Sequence, residues 1–445
     1  MEGSYFNYKI RQFLVESYSG ENVFDMTQCV ASVQYFEDLF SPAVFVRLLL
    51  VNTDGLLTTF SKGKDGKSQK QKYGLRGGER ISLKIEQEAT KDLIFLDETT
   101  SPYYIYKISG STTQSTKEVV TIDLAPTEVF KNETIRVSGK YKNQSIDKSV
   151  TEILNTVLKT SKKKFIEKTQ NSYAFYGNTK KPFTVLTWLA PKSIPAIAKS
   201  SPVKGTAGFL FYENKRGYHF RSLDNLLKGL DPNSTEAKAA QRYSYSEVVN
   251  SAANISQNKK ILTIPVFEKN VNVFENMRIG MYSSANVFFD LNTKTSETYE
   301  YKLSESYESM KHTSSKNEKP EIPLNLQDNP SRLMVKLIDS IVADPKVNSD
   351  PLKKEDNRIK YQSQSIARYN LAFSQVLNIT VPLNLTLSVG DVVNLDFGNI
   401  TKDNSNKGLR DDIKSGLYLI KELCHEMSQN QGFTGLKVVR DSYGV

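Results

Sequence analysis

The chain has 445 residues, 38% of them hydrophobic and 24% charged, with a formal net charge of +10. That balance excludes a disordered chain and gives mass enough for two to four domains. Two cysteines, Cys29 and Cys424, exclude a disulfide framework and a CxxC metal clip, and no run of about 18 apolar residues offers a membrane span.

The first 127 residues read as strands. "CVASVQYFEDLFSPAVFVRLLLVNTDG" gives two strands with a Ser-Pro break and an Asp54-Gly55 turn. The lysine excess gathers in loops, chiefly 61–78 and 159–165, without the aromatic interleaving of a single-strand nucleic-acid groove, so solubility explains it most simply. Then come "ERISLKIE" (79–86), "YYIYKISG" (103–110) and "EVVTIDLAP" (118–126). In the first of these Ile81, Leu83 and Ile85 share one face, which argues a half-buried antiparallel sheet or barrel.

After Pro126 the periodicity changes. "SIDKSVTEILNTVLK" (145–159) spaces its apolar residues as a helix, with Ser145 as N-cap. "KPFTVLTWLAPK" (181–192) is a second helix with Pro182 in its first turn. "GFLFYENKRGYHFRSL" (208–223) is a hairpin turning at 214–217. Strands return over 260–303, followed by a polar loop at 304–332, a short helix at 330–344, a polar connection, and strands to the end. The division is therefore 1–127 as a first β domain, 128–257 as a mixed α/β middle completed by 304–354, and 258–303 with 355–445 as a second β domain.

One phrase occurs twice. "LRGGERISLKI" (75–85) and "LSVGDVVNLDF" (387–397) each place a turn glycine, Gly78 or Gly390, before an acidic residue and an alternating strand. "YYIYKI" and "EVVTIDL" follow the first, "LYLIKE" and "TGLKVVR" the second, with 26 positions from Gly78 to Tyr104 and 28 from Gly390 to Tyr418. Upstream, "YFEDLFSPAVFVRLLLVNT" (35–53) matches "VFENMRIGMYSSANVFFDLNT" (273–293). Each element alone is what any hairpin-fed strand looks like, but four in one order point to a duplication.

Catalytic signatures are missing. His425-Glu426 begins like a zincin but Ser428 and Gln429 follow, with no second histidine in place. His425 reads as a strand residue in or beside a core, His219 as a hairpin residue and His312 as part of a polar loop. No nucleophile elbow or phosphate loop occurs, no carboxylate pair stands out, and no metal or cofactor is called for.

The stretch 361–440 resembles the central hub protein of contractile phage-tail baseplates, a family related to part of the type VI secretion spike. A Tyr-rich lead-in, a leucine-plus-glycine turn (Leu387, Gly390) before Val393, Leu395 and Phe397, and the strand bearing Tyr418, Ile420, His425 and Glu426 carry the resemblance. It implies a β-rich α+β chain with two related tube-type antiparallel β-barrel domains joined by a mixed α/β middle region. It implies no enzyme but a homotrimer, a pseudo-sixfold ring between a sixfold tail tube and a threefold central spike, with other baseplate proteins around it and a channel for DNA. Such a protein is assembled in the bacterial cytoplasm and resides in the virion tail without membrane insertion. A cell-wall hydrolase and a basic nucleic-acid binder remain as alternatives. Gly78 and Gly390 are then turn residues at matching barrel corners. Lys62, Lys64, Lys67, Lys70 and Lys72, in the loop 61–74, are candidate contacts to a neighbouring subunit, or else merely solvated.

Overall fold

A period-two apolar pattern broken by turn residues builds the N-terminal strands. The computed structural model describes residues 5–17, 20, 23–53, 58–62, 68–72, 75–96, 102–114, 117–196, 205–231, 233, 236, 238–245, 257–269, 271–291, 294–314, 329–338, 351–398, 410–428 and 431–442. It opens with β1 (Tyr8–Glu16), β2 (Val23–Asp25), β3 (Val30–Asp38), β4 (Phe45–Thr53), β5 (Thr58–Lys62), β6 (Ser68–Lys72), β7 (Arg80–Gln87), β8 (Leu93–Leu96), β9 (Tyr103–Gln114) and β10 (Lys117–Pro126). In β7, Ile81, Leu83 and Ile85 are fully buried. Each such side chain contributes roughly 1.5–3 kcal/mol by leaving water. Part of the expected loop 61–74 is instead a ribbon, because β5 pairs with β6 antiparallel. The sequences of the two strands, rich in Thr, Ser, Gln and Lys, carry no apolar period to announce them.

The middle region holds α1 (Thr127–Thr134), β11 (Lys140–Ser145), α2 (Ile146–Glu152), β12 (Lys164–Ile166), β13 (Ser172–Tyr176), α3 (Pro182–Leu189), β14 (Phe209–Asn214), β15 (Gly217–Ser222) and α4 (Leu223–Leu227). Val150, Leu154, Leu186, Phe211 and Phe220 share one core. Pro182 opens α3, where its missing N–H is not needed. Ser145 does precede α2, but its side chain makes no capping bond.

The last part comprises β16 (Gln241–Tyr245), β17 (Val266–Lys269), α5 (Val273–Arg278), β18 (Ser283–Asp290), β19 (Thr295–Lys302), α6 (Leu303–Ser306), β20 (Arg332–Ile338), α7 (Pro351–Ala372), β21 (Gln375–Pro382), β22 (Val392–Phe397), β23 (Gly416–Ser428) and β24 (Gln431–Arg440). Two expectations are corrected. Within the helix expected at 330–344, Arg332–Ile338 form the strand β20, parallel to β18, with Leu333, Val335 and Leu337 alternating on its exposed face; 339–344 lie outside the described residues. The strands expected over the last 85 residues begin only after α7, a helix whose inner face is partly polar: Ser363 and Arg368 are buried with Ala367 and Leu371.

Among the described residues, one large sheet runs β17-β21-β24-β23-β3-β4-β10-β9-β7-β1-β2, with β22 bridging β16 and β23 and β8 beside β7. The fold is β-rich α+β. The first and last parts meet in the β3–β23 ladder, from Asp38 opposite Glu422 to Ser32 opposite Ser428, and share one continuous core. The two expected barrels are not seen to close: among the described residues the strand order is open, with single bridges from Ser244 to Lys260 and from Asn7 to Gln431.

Two pairings cross the expected segments. β16 joins β22 in the large sheet rather than staying with the middle region. β18 and β19 leave the large sheet and form a three-stranded sheet with β20. That sheet packs on α7 through Tyr301, Met310 and Leu371.

Candidate functional site

For a chain read as architecture, the site is the repeated corner and whatever docks on it. Gly78 has φ +87° and Gly390 φ +84°, a left-handed backbone that favours glycine. The Gly78 N–H donates to the Ile105 carbonyl (2.7 Å), and the Ile105 N–H returns to the Glu79 carbonyl (3.0 Å). At the other corner the Gly390 N–H donates to the Ile420 carbonyl (3.1 Å), and the Ile420 N–H returns to the Asp391 carbonyl (2.9 Å). Each acidic side chain folds back on its own turn: Glu79 accepts from Arg76 N–H (2.6 Å), Asp391 from Ser388 N–H (3.2 Å).

The registers repeat outward from these corners. Arg80 faces Tyr104 and Ile81 faces Tyr103; Val392 faces Leu419 and Val393 faces Tyr418. In β9–β10, Ile105 faces Leu124 and the ladder skips Tyr106 before Lys107 meets Asp123. In β23–β24, Ile420 faces Val438 and the ladder skips Lys421 before Glu422 meets Lys437. Leu124 then faces Val46 of β4, and Val438 faces Leu377 of β21. Tyr35 of β3 faces Val46, as Phe267 of β17 faces Leu377. The series β7-β9-β10-β4-β3 is thus repeated by β22-β23-β24-β21-β17, bulge included. The upstream match is corrected: β4 corresponds to β21, not to β18, and Tyr103 rather than Tyr104 corresponds to Tyr418. The segment between β17 and β21 holds the small sheet and α7, and it separates in sequence what the ladder joins.

What covers the two corners differs. The Gly390 corner receives the β14–β15 hairpin. A Cβ at Gly390 would lie inside contact distance of the Tyr212 hydroxyl and 3.1 Å from Tyr212 Cζ. Arg216 grips the Asp391 carboxylate with both terminal nitrogens, Nη1 at 2.7 Å from Oδ1. Asn214 Nδ2 donates to the Val389 carbonyl (3.1 Å). Glu37 of β3 completes the joint, accepting from Lys215 N–H (2.7 Å), Val389 N–H (2.9 Å) and Tyr35 Oη (3.0 Å). Burial pushes the Glu37 carboxyl up, against the pull of those donors. Burial also lowers the Lys215 ammonium to about 8, with Glu37 opposing. One carboxylate therefore ties the first sheet, the middle hairpin and the last sheet together, in surroundings where an unmatched donor is costly.

The three histidines are all buried. His425 is fully buried in β23, hydrogen-bonded through Nδ1 to Thr434 Oγ1 (3.0 Å) and stacked on Tyr35. His219 Nε2 meets Asn214 Oδ1 at 2.8 Å inside the hairpin. His312 is buried, contrary to the expected polar loop: Nδ1 lies 2.8 Å from Asp441 Oδ2, which also accepts from Arg368 Nη1 (2.9 Å). Arg368 reaches Asp224 Oδ1 as well, at 3.2 Å. Burial favours the protonated Asp441 carboxyl, but the His312 bond and the Arg368 charge hold it below the usual range. This cluster ties α7 and the chain's last strand to α4. Among the described residues, no three His, Cys, Asp or Glu side chains group as metal ligands.

A groove of about 600 Å³ overlies the β3–β23 seam, lined by Phe36, Ile264, Glu422, Cys424 and Lys437 among others. Burial raises the Cys424 thiol to about 12. Of the lysine candidates, Lys64 and Lys67 lie outside the described residues. Lys62, Lys70 and Lys72 sit on the backbone of the β5–β6 ribbon.

No protein-family model matches the sequence, and no curated protein matches it. Solved structures do. The 43 kDa tail protein of prophage MuSo2 from Shewanella oneidensis is similar at 11% identity, with 97% of this chain and 98% of that one covered and a TM-score of 0.51. A tail protein from Neisseria meningitidis MC58 is similar at 11% identity, with 98% and 97% covered and a TM-score of 0.50. The fold is that of phage tail proteins, the group to which the sequence resemblance pointed.

Proposed function

We propose that the chain is a structural baseplate hub of a contractile phage tail and has no enzymatic role. The observation that carries this reading is the repeated ladder around Gly78 and Gly390. A chain with two copies of one ladder gives six similar units when three chains close a ring, while the single middle region appears only three times. Such a homotrimer adapts a sixfold tail tube above to a threefold spike below and leaves a channel for DNA. The protein then belongs to the virion tail and is assembled in the host cytoplasm, where other baseplate proteins join it.

The fold it shares with tail proteins supports the reading. Light scattering of the purified chain tests it, with three times the 50.3 kDa chain mass expected. A persistent monomer that degrades peptidoglycan, or one that shifts DNA tightly at low salt, would replace it with one of the alternatives.

A further inference from the structure

The repeated ladder has one joint made inside the chain and one left unmade. Inside, β3 pairs with the edge of β23 that continues past β22. The counterparts of these strands are β17 and β9. Among the described residues, β17 ends the large sheet, and β9 past Tyr104 has a ladder partner only on its β10 side. Tyr106, Val266 and Val271 stand 47%, 58% and 58% exposed there.

We infer that β17 of one copy pairs antiparallel with β9 of the next, repeating the internal β3–β23 joint; this rests on the ring reading above. The occupant is a second copy of this chain because the joint already exists within it, and the lengths agree in a way that coincidence does not require. Relative to β3, β17 carries one extra residue, Glu268, where the β17–β21 ladder skips from Phe267 to Lys269. Relative to β23, β9 carries one extra residue over Gly110–Ser111, where its ladder with β10 skips from Ser109 to Thr112. The two insertions fall opposite each other. The new ladder therefore runs without a break: Lys269 opposite Ser109, Glu268 opposite Gly110, Phe267 opposite Ser111 and Val266 opposite Thr112. Pro265 has no N–H to give and ends the pairing, as proline does on an edge strand.

Cysteine cross-linking tests the register. In a chain with Cys29→Ala and Cys424→Ala, one variant carries Ser109→Cys with Lys269→Cys and another Thr112→Cys with Val266→Cys. The pairs are three positions apart, so one of them is a non-hydrogen-bonded pair, whose Cα separation of about 4.5 Å suits a disulfide. Mild oxidation should give reducible covalent species of two and three chains in at least one variant. The offset pair Thr112→Cys with Phe267→Cys, on opposite faces, should stay single. A trimer by light scattering with neither pair cross-linked overturns this register and leaves the ring standing; a chain that stays monomeric overturns both.

Discussion

Gly78 and Gly390 occupy the same position in two copies of one ladder: each donates its N–H to an isoleucine carbonyl, Ile105 or Ile420, whose own N–H returns to the following acidic residue. At Gly390, Tyr212 and Leu226 also press against the turn.

Substitution should separate these two demands. Gly78→Ala meets the left-handed backbone strain and should destabilise by about 1–2 kcal/mol. Gly390→Ala adds the collision with the Tyr212 hydroxyl and should lose about 2–4 kcal/mol in urea unfolding. Adding Tyr212→Phe to Gly390→Ala should recover part of that loss. Equal penalties at the two glycines, with no recovery, would contradict the packing account.

Glu37→Gln should loosen the joint between the sheets and the hairpin. The amide keeps one acceptor oxygen for three donors and turns an N–H₂ towards them, which costs about 1–3 kcal/mol. Hydrogen exchange should quicken at the Val389 and Lys215 amides before it does elsewhere. Unchanged exchange at both would show that Glu37 does not hold the joint.

His425 makes a pH signature. Burial lowers its imidazole to about 3, whereas an unfolded histidine titrates near 6.5. Below 6.5 the unfolded chain takes a proton that the folded one refuses, so this residue's stability contribution is fully present above 6.5 and falls with pH by about 1.4 kcal/mol per unit. His425→Gln carries no such proton. Its penalty in urea should shrink by about 2 kcal/mol between pH 7 and pH 5, and a constant penalty would mean that the folded imidazole titrates normally.

Arg368→Met should leave Asp224 and Asp441 buried without their guanidinium. Breaking a buried pair from one side costs about 3–5 kcal/mol. Limited proteolysis should then release the 311–314 segment, which the Lys311 N–H bond to Asp224 and the Thr313 N–H bond to Asp441 hold in place. Wild-type protease resistance would argue that the apolar contacts of α7 suffice.

Much of this was legible in the sequence, for physical reasons that also mark the limit. β7 alternates between apolar and polar residues, and β9, β10 and the β14–β15 hairpin are strand-forming runs bounded by turn residues, so local pattern found them. α7 escaped because Ser363 and Arg368 share its buried face with Ala367 and Leu371 and interrupt the apolar stripe. The upstream repeat was matched to β18, which imitates β4 in text, whereas sheet order selects β21, beyond an inserted small sheet and helix. Arg216 and Asp391 are 175 residues apart, and nothing in their local pattern announces that they meet. The glycine corners could be read because their chemistry is written within a few residues.

The claim on which everything turns is that the doubled ladder builds a ring of six similar units from three chains. Class-averaged electron images of the purified assembly, viewed end-on, test it most directly. The account predicts three copies with a strong sixfold component at the inner wall and only threefold symmetry in the periphery. A ring with any other number of chains, or three chains whose inner wall lacks the sixfold component, would contradict it.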